Sequence, residues 1–430
     1  MRVQKTYRCK LTKDFKKKIL SWAQKFEEVV WLDSNNHNQS HQGYEAILAV
    51  EAFTSIKTDF HNAFNDLNEY QSNTKDWLFG YLTYDLKNDV ENLVSKNSDH
   101  LNFADLFFFQ PKKVFLFSEE EVTLHYLNMV DDEIENDWQE INNYQQKASQ
   151  SKVNHIKIRL RTSKDSYFEK VSEMLRYIHR GDIYEANFCQ EFFSEGIPIN
   201  PLESFMHLNE ISKAPFATFL KVENHFVLSA SPERYLKKTG TTVISQPIKG
   251  TSRRLKDRIE DKKLIDLLLN DPKERSENIM ITDLVRNDLS RFAEKGSVVV
   301  EELCKVYSFE QVHQMISTIR CNVSEEIEPV EIIRKTFPMG SMTGAPKISA
   351  MKIIEELEDA KRGVYSGAVG YFDPQGDFDF NVVIRSILYN SLTKYVSFSV
   401  GGAITAKSIL ENEYEECLVK AKAMREVLEG

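Results

Sequence analysis

The chain has 430 residues and a formal net charge of −10, more than one minimal domain needs and enough for two or three domains or one large composite core. The acidic balance argues against nucleic acid as a partner, because phosphate binding needs a basic face, although a local cluster of Arg, Lys and helix N-termini can still hold a small anion. No stretch approaches the roughly 18–20 apolar residues of a membrane span, so no membrane partner is expected.

The basic N-terminus lacks an apolar core and does not read as a secretory signal. Phe15, Ile19, Trp22 and Phe26 recur at helical spacing and predict a helix over 13–28. Aromatic and β-branched runs at 45–54, 77–85 and 104–117 predict strands. The polar segment 131–152 predicts a boundary between an N-terminal region, 1–150, and a second region, 151–430. That second region opens with a helix whose apolar face is Phe168, Val171, Met174, Leu175 and Ile178 and whose end is Gly181.

A strand over 184–193 and a hairpin over 235–248, turning at Thr239-Gly240-Thr241, follow. Asp271 suits an N-cap, Pro272 the first helical position and Glu274 a capping-box spacing, so a helix starts there. Further helices are expected over 346–363 and 413–428. Cys9, Cys189, Cys304, Cys321 and Cys417 are odd in number and lack metal-type spacing, as expected of free thiols in a cytoplasmic protein. Strands and helices intermix without regular βαβ alternation, which favours an α+β fold.

Five constellations are capable of chemistry. Glu233, in Ser231-Pro-Glu-Arg, and Lys249, in Gln246-Pro-Ile-Lys-Gly-Thr, each sit at a strand end beside Pro or Gly, where a ligand can approach. Lys249 is either a solvated turn lysine or, if burial or a cationic neighbour lowers its pKa, a nucleophile. Glu277 falls on the apolar face of its helix with Ile281, Leu284 and Val285, so it needs a compensating metal ion or a salt bridge to Arg275 or Arg286. Glu416 and Lys420, at i and i+4 beside a buried stripe, read alone as a surface ion pair.

Thr343 and Gly344 precede a helix whose free N–H groups suit a carboxylate, or they form a plain cap. Arg385 projects from an alternating strand, 381–385, and Gly401 and Gly402, where little side-chain bulk blocks the backbone, follow later in the chain. Arg385 suits a bidentate carboxylate grip or a strand-face salt bridge.

Taken in order, GDIYEANF, SASPERYL, PIKGTSRR, ENIMITDLVRNDL, PMGSMTGAPK, RGVYSGAVGYF, FNVVIRS and EYEECLVKAKA resemble the chorismate-utilising enzymes. That family includes anthranilate, aminodeoxychorismate, isochorismate and salicylate synthases. The resemblance runs from about residue 164 to 428 and implies two facing antiparallel sheets flanked by helices, with the site in a cleft between them. Lys249, before the glycine of Pro-Ile-x-Gly-Thr, resembles the aminodeoxychorismate synthase component I branch. Anthranilate synthase component I, or an isochorismate or salicylate synthase, is the alternative.

By that resemblance Glu277 and Glu416 would bind Mg²⁺. Arg385, Tyr365, Lys420, Thr343, Gly344, Gly401 and Gly402 would contact the substrate carboxylates, and Glu233 would serve as an acid. Lys249, as a free amine, would attack chorismate to form a covalent intermediate, and ammonia would then displace it to give 4-amino-4-deoxychorismate, a precursor of 4-aminobenzoate and folate. No glutaminase cysteine motif is present, so ammonia is expected from a separate glutaminase subunit. Leu32, Asp33 and Ser34 resemble a tryptophan-contacting segment of the family. Two departures stand out: Gln314 occupies the place of a family histidine, with His313 one residue early, and Ala403 replaces a frequent third glycine.

Overall fold

The computed structural model describes residues 2–37, 41, 43–145 and 156–430. Its strands form two facing layers, and all paired strands among the described residues run antiparallel. The first layer runs in the order Arg2–Arg8, Glu121–Leu127, Leu106–Ser118, Ala46–Thr58, Glu28–Asp33, Phe216–Val222, His225–Ser231, Ser386–Asn390, Tyr395–Thr405 and Glu185–Glu195. The long strand Leu106–Ser118 belongs to both layers, because its first residues also pair with Leu78–Leu82. From there the second layer continues through Ala368–Phe372, Phe378–Val382, Arg234–Thr239, Thr242–Gln246 and Val312–Asn322. That last strand carries Ile248–Arg253 and Val299–Ser308.

Alternation along the first layer decides what packs where. Val29 and Trp31 enter a core shared with helices, whereas Val30 between them enters the core between the sheets. Ala46, Leu48 and Val50 against Ile47 and Ala49 repeat the pattern. Residues 1–150 contribute to both layers. Glu28–Asp33 pairs with Phe216–Val222, and Leu78–Leu82 pairs with Ala368–Phe372.

Several boundaries differ from the sequence expectation. The first helix is Lys13–Ala23 and stops short of residue 28, where Lys221 Nζ donates to the Gln24 and Phe26 carbonyls and turns the chain into the next strand. The polar segment expected as a boundary holds a helix, Ile134–Asn143, with Ile134 and Ile141 buried; residues 146–152 lie outside the described residues. The helix expected over 346–363 is Lys347–Leu357, with Pro346 as its cap. Glu358 leaves it in an extended conformation to bind Arg362 and the Cys189 N–H.

Asp271 caps Pro272–Ser290 as expected, accepting from the Lys273 and Glu274 N–H groups. The five cysteines are free thiols. Among the described residues no helix is long and apolar enough to cross a membrane.

Candidate active site

A cavity of about 520 Å³ is walled by strands Glu185–Glu195, Ile248–Arg253, Val312–Asn322 and Tyr395–Thr405 and by helices Pro272–Ser290 and Leu410–Glu429. Lys249 reaches it from a bulge. Ile248 faces Ile316 and Thr251 faces Gln314, so Lys249 and Gly250 together oppose Met315. A bulge of this kind re-aims a side chain. Gly250 adopts φ 84°, and a Cβ there would come within 3.0 Å of Glu274 Oε2, so glycine suits the position on both counts.

The same wall settles the histidine question geometrically. His313 is fully buried on the opposite face of its strand, bonded to Asp261 and Ser308, while Gln314 lines the cavity with its Oε1 unpartnered.

Glu233, Lys249, Glu277, Tyr365, Arg385, Gly401, Gly402, Glu416 and Lys420 all line this one cavity. Thr343 and Gly344 do not. The Thr343 hydroxyl donates to the Met339 and Gly340 carbonyls, and Gly344 pairs against Ala186, leaving Ser341 and Met342 to face the space. Arg385 is not in a strand: Phe378–Val382 ends first, and Arg385 takes φ 53° before Ser386–Asn390 begins. Its charged or titratable neighbours are Tyr365 and Glu416, and burial pulls its guanidinium below the ordinary arginine range. Lys420 is already engaged, donating to the Gly401 carbonyl at 2.7 Å and pairing with Glu416 at 2.6 Å.

The cavity is rich in carboxylates. Glu233 is buried and accepts a hydrogen bond from Ser341, yet burial raises its carboxyl to about 7. Burial likewise raises Glu277 to about 7, against the opposing pull of Lys249 and Lys273. Burial works in the same direction on Glu416, but the Lys420 ammonium and its hydrogen bond outweigh it and hold the carboxyl below its usual range.

Lys249 departs from the free-amine expectation. Burial would lower it, but Glu185, then Glu277, Glu233 and Glu416, outweigh that and hold it as an ammonium.

The donor set fits a hydrated magnesium ion rather than a bare one. Mg²⁺ is usually held by one or two carboxylates together with waters and an anionic substrate group, and among the described residues no three His, Cys, Asp or Glu converge tightly enough to hold a metal alone. Glu277 Oε1 is buried without a hydrogen-bond partner. A Cβ on Gly402 would project into the same space, 3.4 Å from Glu413 Oε2 and 3.7 Å from Glu416 Oε1.

Sequence reasoning missed Glu185, Lys273, Glu274 and Glu413. Lys273 lies 3.8 Å from Glu277 and 3.6 Å from Glu413. The missed signal is a repeated spacing: Glu274 and Glu277 are three apart on one helix, and Glu413 and Glu416 three apart on another, so each pair shares a face.

Leu32, Asp33 and Ser34 lie elsewhere, in a pocket of about 70 Å³ that also contains Phe216, Arg234 and Asp379. Lys16 pairs with Asp33 at 2.8 Å, and Arg234 with Asp379 at 3.0 Å.

Comparison with known proteins gives three kinds of likeness. The family described as chorismate binding enzyme matches residues 27–426. Aminodeoxychorismate synthase component 1 of Escherichia coli (strain K12) is 39% identical over 267 residues, 62% of this chain and 58% of that protein. The chain thus matches well under two thirds of that relative's length. An anthranilate synthase component I-like protein of Synechocystis is 33% identical over 82% of this chain and 73% of its own. The crystal structure of anthranilate synthase component I from Streptococcus pneumoniae superposes with TM-score 0.78 at 24% identity, over 91% of this chain and 95% of that one, and shares the fold.

Proposed function

The chain belongs to the chorismate binding enzymes, and on that premise we propose that it aminates chorismate at C4 to 4-amino-4-deoxychorismate. Lys249 is the covalent nucleophile, Mg²⁺ binds at Glu277 and Glu416, and ammonia comes from a separate glutaminase chain. The observation that carries this reading is the Lys249 side chain, 13% exposed, in a cavity that also holds Glu233 and Arg385. A binding scaffold has no use for a buried primary amine among carboxylates. Likeness to the E. coli aminodeoxychorismate synthase supports the choice of product.

Chorismate carries two carboxylates. Among the described residues Arg385 forms no ion pair with a carboxylate, Glu416 acting on it only from a distance, and it is free to grip one of them. Mg²⁺, when bound, supplies positive charge for the ring carboxylate and offsets the Glu277 and Glu416 charges. The ring is thereby oriented against the Lys249 wall.

Lys249 gives up a proton and its nitrogen attacks ring C2. Both ring double bonds shift, from C1–C2 to C1–C6 and from C5–C6 to C4–C5, and the C4–O bond breaks, with Glu233 giving its proton to the departing hydroxyl, which leaves as water. Ammonia then adds at C4, both double bonds shift back, the C2–N bond breaks to release Lys249, and the new ammonium group returns a proton to Glu233. Glu233 suits the acid role because burial keeps it protonated up to about neutral pH.

Incubation with chorismate, Mg²⁺ and excess ammonium tests the reading. The expected product gives 4-aminobenzoate only after a suitable lyase is added. Fluorescent anthranilate formed without a lyase would assign the chain to the anthranilate branch instead, and isochorismate to the branch that uses water.

A further inference from the structure

Glu185 is the first residue of the strand Glu185–Glu195 and is only 2% exposed. The strand alternates, with Ala186 and Phe188 in the helix-side core and Cys189 between the sheets, so Glu185 and Asn187 share the face toward the cavity. Its Oε1 lies 4.0 Å from Lys249 Nζ, and its Oε2 is buried with no hydrogen-bond partner among the described residues. A buried carboxylate in that condition is costly and calls for an explanation.

The other carboxylates near Lys249 have other partners. Glu233 accepts from Ser341, Glu277 and Glu413 share Lys273, and Glu416 pairs with Lys420. Among the described residues Lys249 is the one cation within 4.0 Å of Glu185, and Glu185 the one carboxylate within 4.0 Å of Lys249.

We infer that Glu185 is the base that takes the proton from Lys249 and so releases the amine for attack. The inference rests on the proposed Lys249 chemistry. An N–H bond of the ammonium breaks, its electron pair staying on nitrogen, and an O–H bond forms on the Glu185 carboxylate. The free pair then makes the bond to ring C2. When ammonia later expels the lysine as a neutral amine, the proton returns from Glu185 to Nζ and the pair is reset.

At 4.0 Å the two groups form an ion pair but not a hydrogen bond, so a torsional change in the lysine stem, or one bridging water, completes the contact. Burial raises the Glu185 carboxyl while Lys249 opposes it, the direction a proton acceptor requires. The titratable groups facing the pair are Glu233, Glu274, Glu277 and Glu416 on the Lys249 side, with Glu277 also sensing Glu185.

The test is the rate of Lys249 adduct formation with chorismate and Mg²⁺, ammonia withheld, followed by intact mass across pH. E185Q is expected to slow the step by about 10²-fold near neutrality and to move its optimum to higher pH, so that its ratio to the parent narrows as the lysine loses its proton to solvent. E185D, which keeps a carboxylate on a shorter stem, is expected to retain the parent's pH profile at a reduced rate and supplies the test if E185Q does not fold. An E185Q rate equal to the parent's, or a deficit of the same size at every pH, would overturn the role of Glu185 while leaving Lys249 as nucleophile. Absence of adduct in the parent itself would overturn the reading beneath it.

Discussion

The two pockets of this sandwich handle charge in opposite ways. Beside Leu32–Ser34 the buried ions Asp33 and Arg234 are paired: Lys16 holds Asp33, and Asp379 meets the Arg234 guanidinium with two hydrogen bonds. Around Lys249 five lining carboxylates and the buried Glu185 face five cations, and among the described residues Glu185 Oε2 and Glu277 Oε1 are buried without a hydrogen-bond partner. The first arrangement stabilises the fold. The second is an unfinished charge balance, suited to a divalent cation and an anionic substrate, and it costs stability until they bind.

Four substitutions probe that contrast. The largest effect is expected for Lys249→Ala: amination should fall by at least about 10³-fold with the far-ultraviolet circular dichroism unchanged. Next is Asp379→Asn in the satisfied pocket. It removes the one carboxylate paired with Arg234 among the described residues, leaving the neutral Gln246 and His41 oxygens, and should destabilise the protein by about 3 kcal/mol, read from urea unfolding.

Glu233→Gln should act in the other direction. The folded-state carboxyl sits at about 7 against an ordinary value of 4.5, so between those values the folded state binds more protons than the unfolded one. Stability of the parent therefore falls as pH rises from about 4.5 through about 7. The variant should lose the Glu233 share of this slope, that of Glu277 remaining, and be more stable by about 3 kcal/mol at pH 8, while adduct formation, deprived of its acid, slows. The smallest stability change is expected for Gly402→Ala, whose added methyl meets its neighbours at ordinary contact distance. Unfolding should shift by less than about 0.5 kcal/mol, while the apparent Mg²⁺ and chorismate affinities weaken. If Glu233→Gln and Asp379→Asn shifted stability in the same direction, the contrast between the two pockets would collapse.

Much of this was legible in the sequence, for identifiable reasons. Gly181, Gly240 and Asp271 have local jobs at a helix end, a turn and a cap, and each stands where its chemistry suggested. The cavity residues were legible because long motifs recur in a fixed order. Less legible were features set by distant partners. The chain leaves its strand at Val382, and nothing local announces that Arg385 will adopt φ 53°. Lys347–Leu357 ends early where Glu358 accepts from the Cys189 N–H, 169 residues away in sequence, as well as from the nearby Arg362. The protonation of Lys249 depends on four glutamates from four separate segments, which no spacing rule brings together.

The proposed chemistry stands or falls on the nitrogen of Lys249. Mixing the protein with chorismate and Mg²⁺ in the absence of ammonia, quenching, and mapping peptides by mass spectrometry tests it most directly. The expected result is a mass increase of chorismate less one water on the peptide containing Lys249, discharged on addition of ammonium. An unmodified Lys249 peptide from protein that nevertheless turns chorismate over would contradict it.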